Sequence, residues 1–227
     1  MKTGIYWQDP KYAVGRDFIL DPSLVLYLPL CKLDGASIMS RDAYGHLCTV
    51  TGALWTPRGR DFDGSDDIIS CGSEPSIDFT TDDDIIIEAW VKSDKSAAEL
   101  GSGHKGGITS KSYSLVLSIH NTQWRFFNDL TTGGVSTYFG SVEKDVWVHL
   151  LAIRKPHFWA TYKNGLYINS GSPELGWKDF PANNLVIGMY SAVYFDGLIG
   201  EVRIYKGKVL TPLEIQHHYL AAKWRYR

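Results

Sequence analysis

Between Asp61 and Glu88 the chain carries ten carboxylates and neither a lysine nor an arginine. Acids at that density have two uses. They keep a solvated loop edge soluble through mutual repulsion, or they hold a hard divalent cation, which takes about six to eight oxygens from carboxylates, backbone carbonyls and water. The turn Asp63-Gly64-Ser65-Asp66-Asp67 concentrates them most, with carboxylates on Asp63 and Asp66 and a glycine to bend the backbone. It lacks the spacing of an EF-hand loop, so a calcium site here must draw ligands from other loops as well. The expected cofactor is one Ca2+, structural or ligand-bridging, and otherwise none.

A second stretch offers binding chemistry. In Asn121-Thr-Gln-Trp-Arg-Phe-Phe-Asn128, strand alternation puts Trp124 and Phe126 on one face and Arg125 with Phe127 on the other. One pair must enter the core, and the other is left to face outward. Sugars present apolar C–H patches and fixed hydroxyls, and aromatic faces with a few polar groups grip both. Trp124, Phe126, Tyr138 and Trp159 are therefore the candidate ligand contacts, with Trp177 and Tyr190 as further positions. Core packing is the competing reading for each, and it is strongest for Trp90 and Trp147, which sit inside apolar runs.

Catalytic patterns are missing. There is no H-E-x-x-H and no G-x-S-x-G. The seven histidines are dispersed, and the His217-His218 pair points in neighbouring directions from a helix rather than into one site. Cys31, Cys48 and Cys71 are an odd set without C-x-x-C spacing, which disfavours a zinc site or a disulfide framework. They read as small buried hydrophobes, with a Cys31–Cys48 or Cys48–Cys71 bridge as the alternative. A formal charge of −2 gives no field that would attract nucleic acid, and no apolar run reaches the ~20 residues of a membrane span. The N-terminus shows no apolar core of secretory length.

The elements that must position these groups are strands. Aromatic residues make up 13% of the 227-residue chain and are scattered along strand-like runs. From Gly197 to Tyr205, Leu198, Val202 and Ile204 alternate with Glu201 and Arg203. Helical signals appear only after Thr211, an N-cap followed by Pro212 and by Glu214 three residues on. A strand, a tight bend and a short closing helix resemble the end of a laminin-G-like or concanavalin A-like sandwich. Four further runs resemble that family's strands: Leu24-Val-Leu-Tyr-Leu-Pro-Leu30, Phe62-Asp-Gly-Ser-Asp-Asp-Ile-Ile69, Ile85-Ile-Ile-Glu-Ala-Trp-Val91 and Trp147-Val-His-Leu-Leu-Ala152. Tyr162-Lys-Asn-Gly-Leu-Tyr167 resembles its hairpin.

The resemblance implies an all-β fold: an antiparallel two-sheet β-sandwich of about a dozen strands, jelly-roll-like, with a short C-terminal helix. The sandwich spans 23–222, preceded by an aromatic arm at 1–22 and followed by a basic tail at 223–227, whose natural partner is the acidic run. Asp196 and Glu201, near the closing strand, join Asp63 and Asp66 as metal candidates by resemblance. Hydrolases of this sandwich carry E-x-D-x-E on one strand, and here Glu88 is flanked by Ile86 and Trp90 instead. The sandwich also hosts lectins, adhesion modules and virion proteins. The expected role is non-catalytic: a particle-surface or assembly protein of a virion or phage that also binds glycans. A secreted calcium-dependent lectin-like module is the alternative, and a glycoside hydrolase trails. Expected partners are a glycan or neighbouring subunits, as a homo-oligomer or larger assembly, at a virion or extracellular surface. The glycine-rich runs 99–107 and 130–135 read as mobile rims.

Overall fold

The computed structural model describes residues 21–130, 133–173, 176–178 and 183–227. The arm therefore lies outside the described residues except for its last two. Two antiparallel eight-stranded sheets enclose the main core. The first runs in the order Leu166–Gly171, Phe158–Lys163, Trp147–Lys155, Ile85–Ser93, Asp196–Lys206, Gly59–Asp63, Leu54–Thr56. Leu24–Pro29 completes it, pairing with the far half of Asp196–Lys206. The second runs Gly133–Ser141, Gln123–Leu130, Ser114–His120, His104–Lys111, Val186–Ile187, Ile68–Ser70, Leu47–Thr51, Ser37–Met39. The strand number exceeds the dozen expected because several edge pieces are only two or three residues long, too short to show a period in sequence.

The central strand Ile85–Ser93 explains its own composition. Ile85, Ile87, Ala89 and Val91 enter the core between the sheets. Ile86 and Trp90 point the other way, yet they too are buried, because the helix Pro212–Lys223 and the residues after it lie over that face. A strand covered on both sides reads as a continuous apolar run rather than an alternation. The helix starts where local chemistry dictates. Thr211 Oγ accepts from the Glu214 N–H, and the Glu214 carboxylate accepts from the Thr211 N–H at 2.7 Å.

Two expectations need correction. The basic tail does not reach for the acidic run: Arg225 pairs with Glu201 at 3.3 Å, and Tyr226 stacks on Trp90 with ring centroids 4.6 Å apart. Burying that tyrosine ring against an aromatic floor outweighs a surface ion pair. The run 99–107 is largely regular structure rather than one open loop. It holds the end of a helical turn, Ala97–Leu100, and the start of the strand His104–Lys111. Gly107 is there because a backbone rests on it, and a Cβ would sit 2.1 Å from Met189 C. That backbone is a hairpin, Met189–Tyr190 with Val193–Tyr194, folded over the outer face of the second sheet. Its turn residues Ser191 and Ala192 both take positive φ, 53° and 58°, as a two-residue type I′ turn requires. In the other glycine-rich run, 131–132 lie outside the described residues and Gly133–Ser141 is a strand. All three cysteines are free thiols, and Cys71 is pushed upward by its hydrogen bond with Cys48 and by burial.

Candidate functional site

Trp124 and Phe126 are 0% exposed and belong to the main core. They offer no face to a ligand, and the alternation assigns the outward positions to Arg125 and Phe127 instead. The reason is tertiary: the first sheet packs on the Trp124 side. Trp159 is half-buried on the first sheet, packed against the core with its ring over Gly171. Trp177 is buried as well. Tyr138 is half-buried on the outer face of the second sheet, where it does have company.

Five rings follow one another across that face. Tyr113 and Tyr190 meet edge to face at 5.9 Å, Tyr190 and His104 at 5.2 Å, and His104 and His120 at 5.0 Å. His120 and Tyr138 follow at 6.2 Å, with the phenol hydroxyl 3.3 Å from His120 Nδ1. Tyr113 and His104 are exposed and His120 is half-buried, so much of the row faces water. At one end a cleft of about 480 Å³ is lined by Ser110, Ser112, Tyr113, Asn184, Met189 and Tyr190. Amide, hydroxyl and ring surfaces therefore converge there.

Arg125 lies beneath the row. It is 3% exposed, its Nε donates to Ser118 Oγ at 3.2 Å, and its Nη2 donates to His104 Nδ1 at 3.3 Å. Because a guanidinium is only a donor, His104 must accept at Nδ1 and carry its proton on Nε2. Burial lowers the Arg125 pKa, and among the described residues its hydrogen-bond partners are Ser118 and His104 rather than a carboxylate. Burial, followed by the Arg125 charge, lowers both His104 and His120, which favours neutral rings at pH 7.

The metal candidates divide. One carboxylate oxygen from each of Asp63, Asp66 and Asp67 falls within a 4.8 Å cluster. Asp67 Oδ2 accepts from the Asp63 N–H and Asp63 Oδ1 from the Ser65 N–H, so the turn already uses part of this set. Burial, with Asp63 and Asp66 alongside, raises Asp67. Asp196 sits opposite Asp63 in register and against Gly64, but its carboxylate pairs with Lys95 at 3.2 Å. Glu201 does not join them. It is 2% exposed under the C-terminal residues and is held by Arg203 and Arg225.

A second polar cluster lies on the first sheet, beneath the C-terminal helix. Glu88 Oε1 accepts from Arg203 Nη1 at 2.9 Å and lies 3.1 Å from His218 Nδ1, while Oε2 lies 3.1 Å from His149 Nε2. His218 thus does serve a common site, contrary to its reading from sequence. Burial alone would raise the Glu88 carboxyl, but His218, Arg203 and His149 together hold it well below the usual range. A carboxylate so firmly ionised and covered is a structural anion, not an acid catalyst.

A sequence model described as the concanavalin A-like lectin/glucanases superfamily matches residues 63–216. The botulinum neurotoxin serotype D binding domain has the same fold, with a TM-score of 0.68 at 15% identity over 88% of this chain and 51% of that one. The serotype D ligand binding domain in complex with N-acetylneuraminic acid gives 0.67 at 16%, over 88% and 51%. The binding domain of Paraclostridial Mosquitocidal Protein 1 gives 0.66 at 14%, over 87% and 52%. This chain spans about half the length of those solved chains, and likeness at such identity concerns the fold. No curated protein matches the sequence.

Proposed function

The chain belongs to the concanavalin A-like lectin/glucanases superfamily, and from that premise we propose that it is a non-catalytic carbohydrate-binding module. The observation that carries this reading is the row of rings from Tyr113 to Tyr138, ending in a cleft with amide and hydroxyl groups. Ring faces take up the apolar side of a pyranose, and Asn184, Ser112 and the histidines supply directional bonds. The neurotoxin domain solved with N-acetylneuraminic acid lends support, as a protein of the same fold that takes a sugar. The pinned state of Glu88 supports the absence of catalysis. The test is a glycan array with the purified chain, repeated with Tyr113→Ala. Binding that the substitution weakens supports the proposal, whereas a blank array from folded protein, or release of reducing ends from a polysaccharide, refutes it.

A second reading, assembly at a particle surface, draws on one other observation. The edge strand Leu166–Gly171 exposes Leu166, Tyr167 and Ile168, with Leu213 of the C-terminal helix beside them. An apolar edge of this kind favours a neighbouring subunit. Light scattering on the purified chain tests it, and a monomer at high micromolar concentration counts against it.

A further inference from the structure

Arg125 poses a question that the fold alone does not answer. In this molecule a buried guanidinium is matched by carboxylates, as Arg203 is by Glu88 and Glu201, or by backbone carbonyls, as Arg60 is by Ala53 and Gly35. Arg125 is as deeply buried, at 3% exposure, yet its described neighbours are neutral: Ser118, His104 and two rings. The rings of Phe127 and Tyr190 lie 4.9 and 5.5 Å from its Cζ and 6.2 Å from each other. The three groups therefore form a compact triangle, with the rings gathered on one side of the guanidinium. His104, which is exposed, accepts from its Nη2, and His120 and Tyr138 follow His104 across the neighbouring strands. Among the described residues no carboxylate meets this cation, which lies beside the open row of rings.

We infer that this face holds a subsite for the carboxylate of an acidic sugar, with Arg125 supplying the charge and His104, His120 and Tyr138 the hydrogen-bonding rim. The inference rests on the glycan-binding reading above and narrows its ligand class. A carboxylate suits the place because it brings the negative charge that the described neighbours of Arg125 do not supply, while the sugar ring lies on the aromatic row. Neutral imidazoles serve as well, since each keeps one N–H to donate to the bound anion.

The test uses the full chain on an array of neutral, carboxylated and sulfated glycans. The best carboxylated ligand is then titrated beside its neutral methyl ester. The expected result is a preference of about tenfold or more for the free carboxylate over the ester, the size of one charge-assisted hydrogen bond. Arg125→Gln, checked for native circular dichroism, should erase that preference, and Arg125→Lys should restore part of it. If Arg125→Gln fails to fold, His104→Ala at the exposed rim reports on the same contact and should weaken the free carboxylate more than the ester. Equal affinity for acid and ester, or a preference for sulfated ligands, overturns the inference while leaving the glycan reading in place. A blank array overturns both.

Discussion

Replacing Glu88 by glutamine tests the reasoning about how this sandwich holds its C-terminal helix. Glu88 is 1% exposed and is met by Arg203 at 2.9 Å, His218 at 3.1 Å and His149 at 3.1 Å. Glutamine keeps the shape but loses the charge, and turns an amide N–H2 toward groups that are themselves donors. Removing one member of a buried ion pair destabilises by about 3–5 kcal/mol. Arg203 keeps Glu201 at 2.9 Å, so the lower end applies, about 3 kcal/mol. For a domain of this size that is a fall in Tm of about 6–12 °C at pH 7. The sign with pH follows from the direction of the shift. A carboxyl held well below its ordinary value contributes stability in full above that ordinary value, 4.5, and loses it as pH falls through the lowered one. Melting curves of the two proteins should therefore lie far apart at neutral pH and draw together in acid below 4.5. Hydrogen exchange should also quicken in Pro212–Lys223, where His218 is anchored. A Tm within 2 °C of the wild type at pH 7, or a gap that persists unchanged in acid, would refute the reasoning.

Other outcomes follow from the same geometry. Gly107→Ala places a methyl 2.1 Å from the backbone of Met189 and Tyr190, so the hairpin must lift. We expect about 1–3 kcal/mol of destabilisation by denaturant titration, with glycan binding weakened alongside it. Trp124→Ala should cost about 3–5 kcal/mol while leaving the affinity of the remaining folded protein unchanged, since the ring is core and not contact. An affinity change larger than the stability change would return Trp124 to the binding surface. Calcium binding at Asp63, Asp66 and Asp67 would relieve their mutual repulsion, so millimolar calcium should raise Tm by about 1–3 °C, an effect lost in Asp66→Asn. A Tm indifferent to calcium assigns the acidic run to solvation alone. Thr211→Ala should lower stability by about 1 kcal/mol through loss of the helix cap.

How legible the site was depended on the range of each signal. Alternation in Asn121–Asn128 sorted Trp124 with Phe126 and Arg125 with Phe127, but it is symmetric between the two faces of a sheet. Only the position of the opposing sheet broke that symmetry, and it turned Arg125 and Phe127 outward. Tyr138 and Tyr190 stood out as single aromatics, with nothing in the chain to say that they lie near one another. His104 and His120 gave no sequence signal, because each is one histidine among seven. The Gly106-Gly107 pair was the available clue, since adjacent glycines in a strand mark a close backbone approach. Glu88 looked like an isolated acid because its partners stand 61, 115 and 130 residues away.

Local physics reached as far as neighbouring residues can. The sequence by itself determined the strand runs, the central strand Ile85–Ser93, the capped closing helix and the absence of an E-x-D-x-E run, and its resemblance to laminin-G-like domains implied the all-β sandwich. Period-2 alternation, N-cap chemistry and residue spacing are properties of short segments, and they survive whatever the rest of the chain does. The tertiary structure alone decided which face of the second sheet opens to solvent, that a hairpin lies over Gly107, that five rings from three separated segments form one row, and that Arg125 is buried with no carboxylate beside it among the described residues. Those facts arise from strand order and from the packing of one sheet on another, and each requires residues distant in the chain to meet.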